Sequence, residues 1–186
     1  MSLIEDLAER YRRHIGIPWQ RTVAGAQRVL MLVYDKELER PLRAQKGVFR
    51  IKTTEAGYEW REVDLTNAFA EFMAADEYSD AYFEEPETLS LKMSSGEFRD
   101  FLAERVRGAL LAEGVTDRTV VAVFGVGSIF GLCRLSEVLP LVERDIRGRL
   151  AVLFPGQLDQ NSYRLLDARD GWNYLAVPLT IRGEDR

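Results

Sequence analysis

Gly125-Val126-Gly127-Ser128 is the stretch best placed to do chemistry, because it follows the apolar run Val120–Phe124 and precedes an apolar-periodic helix from about Arg134. A glycine-rich turn at the end of a buried strand can bring backbone amides to a phosphate. The residues do not complete either phosphate fingerprint. A dinucleotide turn would carry its third glycine at position 130, where Phe130 stands, and Gly131 falls one residue late. A P-loop needs a lysine followed by a hydroxyl residue; Gly127 to Gly131 is too short a loop, Cys133 stands near the place of that pair, and no Gly-Lys-Ser/Thr triplet occurs in the chain. Gly125, Gly127 and Ser128 are therefore candidate anion or nucleotide contacts, set against a plainer reading as a tight turn that needs small residues and positive φ.

Nucleophilic catalysis has little to work with. The one histidine, His14, lies at the end of a charged amphipathic helix, so Ser128 and Cys133 lack the usual base. One histidine and one cysteine make no zinc site, and Cys133 alone forms no intramolecular disulfide. Asp35, Asp64 and Asp159, at strand or loop ends, are the carboxylates from which a magnesium site would have to be drawn. The simpler expectation is that Asp35 and Asp64, or Thr66, cap turns and helices. Arg134, near the glycine turn, can fork two hydrogen bonds to a carboxylate of a neighbouring loop or face a partner. No catalytic residue, metal or cofactor is expected.

The elements around these residues read as α/β. Leu3, Ile4, Leu7, Tyr11 and Ile15 recur at helical spacing behind Ser2 as a cap, and the helix is expected to pack on its own sheet. Arg28–Tyr34, Val120–Phe124 and Leu150–Phe154 are continuous apolar runs, the signature of strands buried on both faces of a parallel sheet. Val48–Lys52 and Glu59–Val63 predict a hairpin or two short strands, and Trp60–Leu65 a strand running into a helix at Ala68–Met73 capped by Asp64 or Thr66. In the acidic, aromatic segment Asp76–Glu87 the spacing matches no EF-hand; it predicts a solvated helix face with Tyr78 and Tyr82 packed. Glu97–Glu113 is the clearest helix, stopped by Gly114. Phe154-Pro155-Gly156 predicts a chain turn, Gln157–Ser162 a polar loop, Asn173–Leu179 a last strand, and Gly183–Arg186 a loose end. The fold expected is a three-layer α/β/α domain over residues 1–186, with a mainly parallel sheet, Rossmann-like or P-loop-like but without a Walker A motif.

The chain has 186 residues and a formal charge of -5, which disfavours direct nucleic-acid binding while leaving room for a local basic patch. No amino-terminal leader and no bilayer-spanning apolar run stand in it, and the lone cysteine fits a reducing compartment, so a cytoplasmic protein is expected.

Val121-Ala122-Val123-Phe124-Gly125-Val126-Gly127-Ser128-Ile129-Phe130, then Arg134, Leu139, Leu150–Gly156 and Asn173-Tyr174, resemble BrxB-like proteins. These are small components of bacterial bacteriophage-exclusion (BREX) defence systems. The likeness spans residues 28–180 and is most specific at Phe124–Arg134 and Leu153–Gly156. It implies a cytoplasmic, non-enzymatic accessory that works with an ATPase, a DNA methyltransferase and a phosphatase-like protein. It brings no catalytic residues, and its sheet looks like one stripped of the phosphate-binding lysine.

Overall fold

The computed structural model describes residues 2–20 and 22–181; the polar tail from Gly183 lies outside them. Helix α1 (Leu3–Ile15) starts with a capping box. The Ser2 hydroxyl accepts from the Glu5 amide at 3.2 Å, and the Glu5 carboxylate accepts from the Ser2 amide at 2.7 Å. The face bearing Ile4, Leu7, Ala8, Tyr11 and Ile15 is buried. The chain then runs through β1 (Val29–Tyr34), α2 (Glu39–Ala44), α3 (Gly47–Glu55), β2 (Glu59–Asp64) and α4 (Ala68–Ala74). Two short, exposed helices follow, α5 (Ser79–Glu84) and α6 (Leu89–Ser94), before the long α7 (Glu97–Leu110). After β3 (Thr119–Phe124) and α8 (Leu135–Val142) come β4 (Arg149–Asp159), β5 (Ser162–Leu165), β6 (Trp172–Asn173) and β7 (Val177–Thr180).

The central sheet has the order β2-β3-β4-β1-β7, and every pairing along that path is parallel. Alternate residues of its inner strands enter two separate hydrophobic clusters. Leu30, Leu32, Val120, Ala122 and Ala151 join residues of α1, α2 and α3; Met31, Val121, Val123, Leu150 and Val152 join residues of α4, α7 and α8. Burial on both sides is why β1 and β3 carry no polar residue except Thr119 at an end.

Several expectations are corrected. Val48–Lys52 is helical, within α3. Its apolar residues fit either period, and tertiary contacts decide: Phe49 and Thr53, four apart, are both buried against Tyr11. A hairpin is also excluded because β2 pairs in parallel with β3. Phe154-Pro155-Gly156 does not turn the chain; β4 runs straight through it. Pro155 ends the pairing with β1, opposite Tyr34, and Gly156 begins an antiparallel pairing with β5. A side chain at Gly156 would start 2.0 Å from the Arg164 carbonyl oxygen, so glycine marks where the strand changes partner. The polar loop is thus a hairpin, turning at Gln160 and Asn161 between β4 and β5. The last strand is split into β6, on β5, and β7, on β1. Helix α7 ends at Leu110, ahead of Gly114, which has a φ of 81°. Tyr78 is exposed and not packed.

Thr53 Oγ1 donates to the Phe49 carbonyl at 2.8 Å, so in the buried 2.7 Å contact with Tyr11 the phenol is the donor. Thr53→Val strands that donor and is expected to cost about 1–3 kcal/mol, whereas Tyr11→Phe removes it and costs less. Urea unfolding of both variants checks this; a larger loss for Tyr11→Phe would contradict it.

Candidate functional site

Strand β3 delivers the glycine turn to the carboxyl end of the sheet, where open α/β sheets gather ligands. Gly125 is buried with a φ of 74°. A Cβ there would lie 2.5 Å from the Thr66 amide nitrogen and 2.7 Å from Asp64 Oδ1. The glycine is required because the exit of β2 is pressed against it. The following 3-10 turn uses amides internally: Ser128 donates to the Gly125 carbonyl at 3.0 Å and Phe130 to the Gly127 carbonyl at 3.2 Å. Gly127 has ordinary contacts, 3.6 Å to Leu166 and to Pro155, and Ser128 is exposed.

Beside Thr66, a carboxylate also abuts this turn. Asp64 accepts from Arg43 Nη2 at 2.8 Å, from the Thr66 amide at 2.9 Å and from the Thr66 hydroxyl, while Arg43 Nη1 reaches Thr66 Oγ1 at 2.5 Å. Burial alone would raise the Asp64 carboxyl, but the Thr66 hydrogen bonds and the charges of Arg43 and Lys46 outweigh it and hold the group below its ordinary value. An anion at Gly125 would face this ionised oxygen. Arg43, whose role no local pattern announces, thus closes the carboxyl end of β2 and β3.

The other candidates are scattered. Asp35 accepts from the Glu37 amide at 2.9 Å, the cap expected of it, and Asp159 pairs with Arg164 at 3.3 Å on the β4–β5 hairpin. Among the described residues no three His, Cys, Asp or Glu side chains converge as a metal-holding group. His14 is half-buried; burial and then the charge of Arg149 lower its pKa. Burial pushes the Cys133 thiol up to about 12.

Arg134 stands elsewhere. Gly131, with a φ of 76°, turns the chain so that Phe130 is 46% exposed. Phe130, Leu132, Cys133, Leu165 and Trp172 line a groove of about 520 Å³ together with Met93 of α6 and the charged residues Arg134, Glu137, Arg169 and Asp170. Trp172 is fixed by an edge contact to Phe154 and a tilted contact to Tyr163, with ring centroids 5.8 and 5.2 Å away. At the rim Arg134 Nη2 lies 3.7 Å from Asp170 Oδ2, an exposed pair that costs at most about 1 kcal/mol to open. Arg134 thus meets a carboxylate of a neighbouring loop, as one sequence reading had it, while bordering an apolar groove. Trp172 and Asp170 carry no signal in the sequence beyond a tryptophan after Gly171, next to a polar loop.

No family model, curated protein or solved structure matches the chain. Among the described residues no helix is long and apolar enough to cross a membrane.

Gly125→Ala is expected to destabilise the protein by about 1–2 kcal/mol or more, from its left-handed backbone and the collision at Thr66; Gly127→Ala should be near neutral. Equal thermal stabilities for the two variants would contradict this packing. At pH 8 Cys133 should react with a thiol reagent on the order of a thousandfold more slowly than free cysteine, because so little thiolate is present. Reaction at the free-cysteine rate would refute the burial.

Proposed function

We propose that the chain is a non-catalytic protein-binding module, an adaptor of a bacterial BREX-type anti-phage assembly that contacts its ATPase, methyltransferase or phosphatase-like component. The observation that carries this reading is the groove between Phe130–Arg134 and Leu165–Trp172. An exposed aromatic beside a fixed tryptophan, rimmed by a weak Arg134–Asp170 pair, is the make-up of a protein-binding hot spot: apolar at the centre, charged at the edge. The groove is built from the Phe124–Arg134 block on which the family resemblance is most specific.

The scaffold reading is a three-layer α/β/α domain of P-loop-like type. Strand β1 leads to β2 in one direction across the sheet, and β2 leads through β3 to β4 in the other. With right-handed crossovers that reversal carries α2 and α3 to one face and α4, α7 and α8 to the opposite one. The membership of the two hydrophobic clusters supports it. In the dinucleotide fold the first strand stands between the second and the fourth; here β1 stands between β4 and β7, which speaks against a Rossmann order. A P-loop would follow the first strand of its unit. That turn is Asp35-Lys36-Glu37-Leu38, without glycine and without a lysine–hydroxyl pair. The Asp64 carboxylate beside Gly125 weighs against anion sensing at the glycine turn.

Affinity capture of each neighbouring defence protein by the tagged full chain tests the adaptor reading. One of them is expected to be retained, and Phe130→Asp or Arg134→Glu to weaken its binding, the former about tenfold or more. As surface changes both should leave stability within about 0.5 kcal/mol. Retention of none of these proteins, or binding indifferent to both substitutions, would overturn it.

A further inference from the structure

The amino end of the sheet, opposite the glycine turn, holds a cavity of about 580 Å³, a size that suits a small ligand. Four arginines line it, Arg28, Arg118, Arg147 and Arg149, against the single carboxylate of Asp117. Each comes from the start of a strand or the loop before it, so residues far apart in the chain converge only because β1, β3 and β4 begin side by side. This concentration of positive charge occurs in a chain of net charge -5.

How the arginines are held matters more than their number. Arg149 is only 9% exposed, with its guanidinium 4.5 Å above the Trp19 ring. Trp19 stacks on Tyr58 with centroids 3.9 Å apart and planes 3° from parallel, and Arg118 lies over the Tyr58 ring at 5.1 Å. The result is a column, guanidinium, indole, phenol, guanidinium, that fixes two cations in place. Backbone carbonyls do the rest: Arg118 donates to Gly57 at 2.6 Å, Arg147 to Val115 at 2.8 Å, Arg149 to Gly148 at 3.1 Å. Among the described residues none of these three forms a salt bridge with a carboxylate. A buried guanidinium held by a ring and one carbonyl keeps most of its five donors for something else.

We infer that this cavity is a binding site for a small polyphosphate, such as free pyrophosphate or the phosphate chain of a nucleotide. Planar guanidinium forks match phosphate oxygens, and several fixed arginines against one aspartate call for a ligand with more than one negative charge. Both outer faces of the Trp19–Tyr58 pair are covered by guanidinium groups, so a nucleobase cannot insert into the column and recognition falls on phosphate. The site lies at the amino end of the sheet, away from the carboxyl end where open α/β sheets usually gather their substrates. This inference is independent of the Phe130 groove.

Calorimetry of the full chain with pyrophosphate, with ATP and with a single-stranded oligonucleotide lacking a terminal phosphate, at about 150 mM salt, tests it. Saturable one-site binding of pyrophosphate is expected, weakened about tenfold or more by Arg118→Gln and by Arg147→Gln, exposed positions at which the fold should survive. Phe130→Asp should leave it unchanged. Equal affinity for ATP and pyrophosphate would assign a free polyphosphate, and tighter ATP binding a nucleotide; either supports the site. No saturation by pyrophosphate or ATP up to about 1 mM, the wild-type affinity in both the Arg118→Gln and the Arg147→Gln variant, or oligonucleotide binding that pyrophosphate does not displace would overturn it.

Discussion

Strand β1 pairs with β4 over six residues on one side and with β7 on the other, and all six of its side chains are buried. Three enter one hydrophobic cluster and three the other. The other inner strands, β3 and β4, are buried on both faces in the same way. A shift of one residue would exchange the two sets, so the register Leu30 to Ala151 and Leu32 to Leu153 is fixed from both faces at once. Removing one of these aliphatic side chains would leave a cavity costing about 2–5 kcal/mol, a large part of the stability of a domain this size.

That constraint decides where function can sit. With both faces of the inner strands covered, only the two ends of the sheet and the pieces added beyond them remain accessible. At the carboxyl end Arg43, Asp64 and Thr66 close over Gly125. At the amino end, four strand-start arginines surround an open cavity. Beyond Pro155, β4 leaves the parallel sheet to pair with β5, and that extension brings Leu165 and Trp172 opposite Phe130. One long strand therefore carries a cationic residue, Arg149, at its start and one side of an apolar groove past its far end.

Much of the architecture could be read from residues alone, and for clear reasons. Continuous apolar runs at β1, β3 and β4 require burial on both faces, and Ser2 marks a helix start without reference to anything distant. Where the reading failed, the deciding partner lay far away. Val48 to Ile51 satisfies both periods until Tyr11 and Thr53 meet across 42 positions. Pro155 and Gly156 look like a turn until Pro155 is seen paired opposite Tyr34 at the end of β1. The sites were less legible than the fold. Gly125 to Ser128 drew attention as a local pattern, yet Arg28, Arg118, Arg147 and Arg149 form no pattern at all: each alone reads in the sequence as an isolated cation, and only the parallel order gathers them.

Amide hydrogen exchange, followed residue by residue, tests the central role of the β1–β4 pair most directly. Because those amides lie between two covered faces and away from the sheet edges, they should exchange last and only through global unfolding, with β2 and β7 releasing earlier. Exchange of the β1 and β4 amides ahead of those in the edge strands would contradict this account of what holds the molecule together.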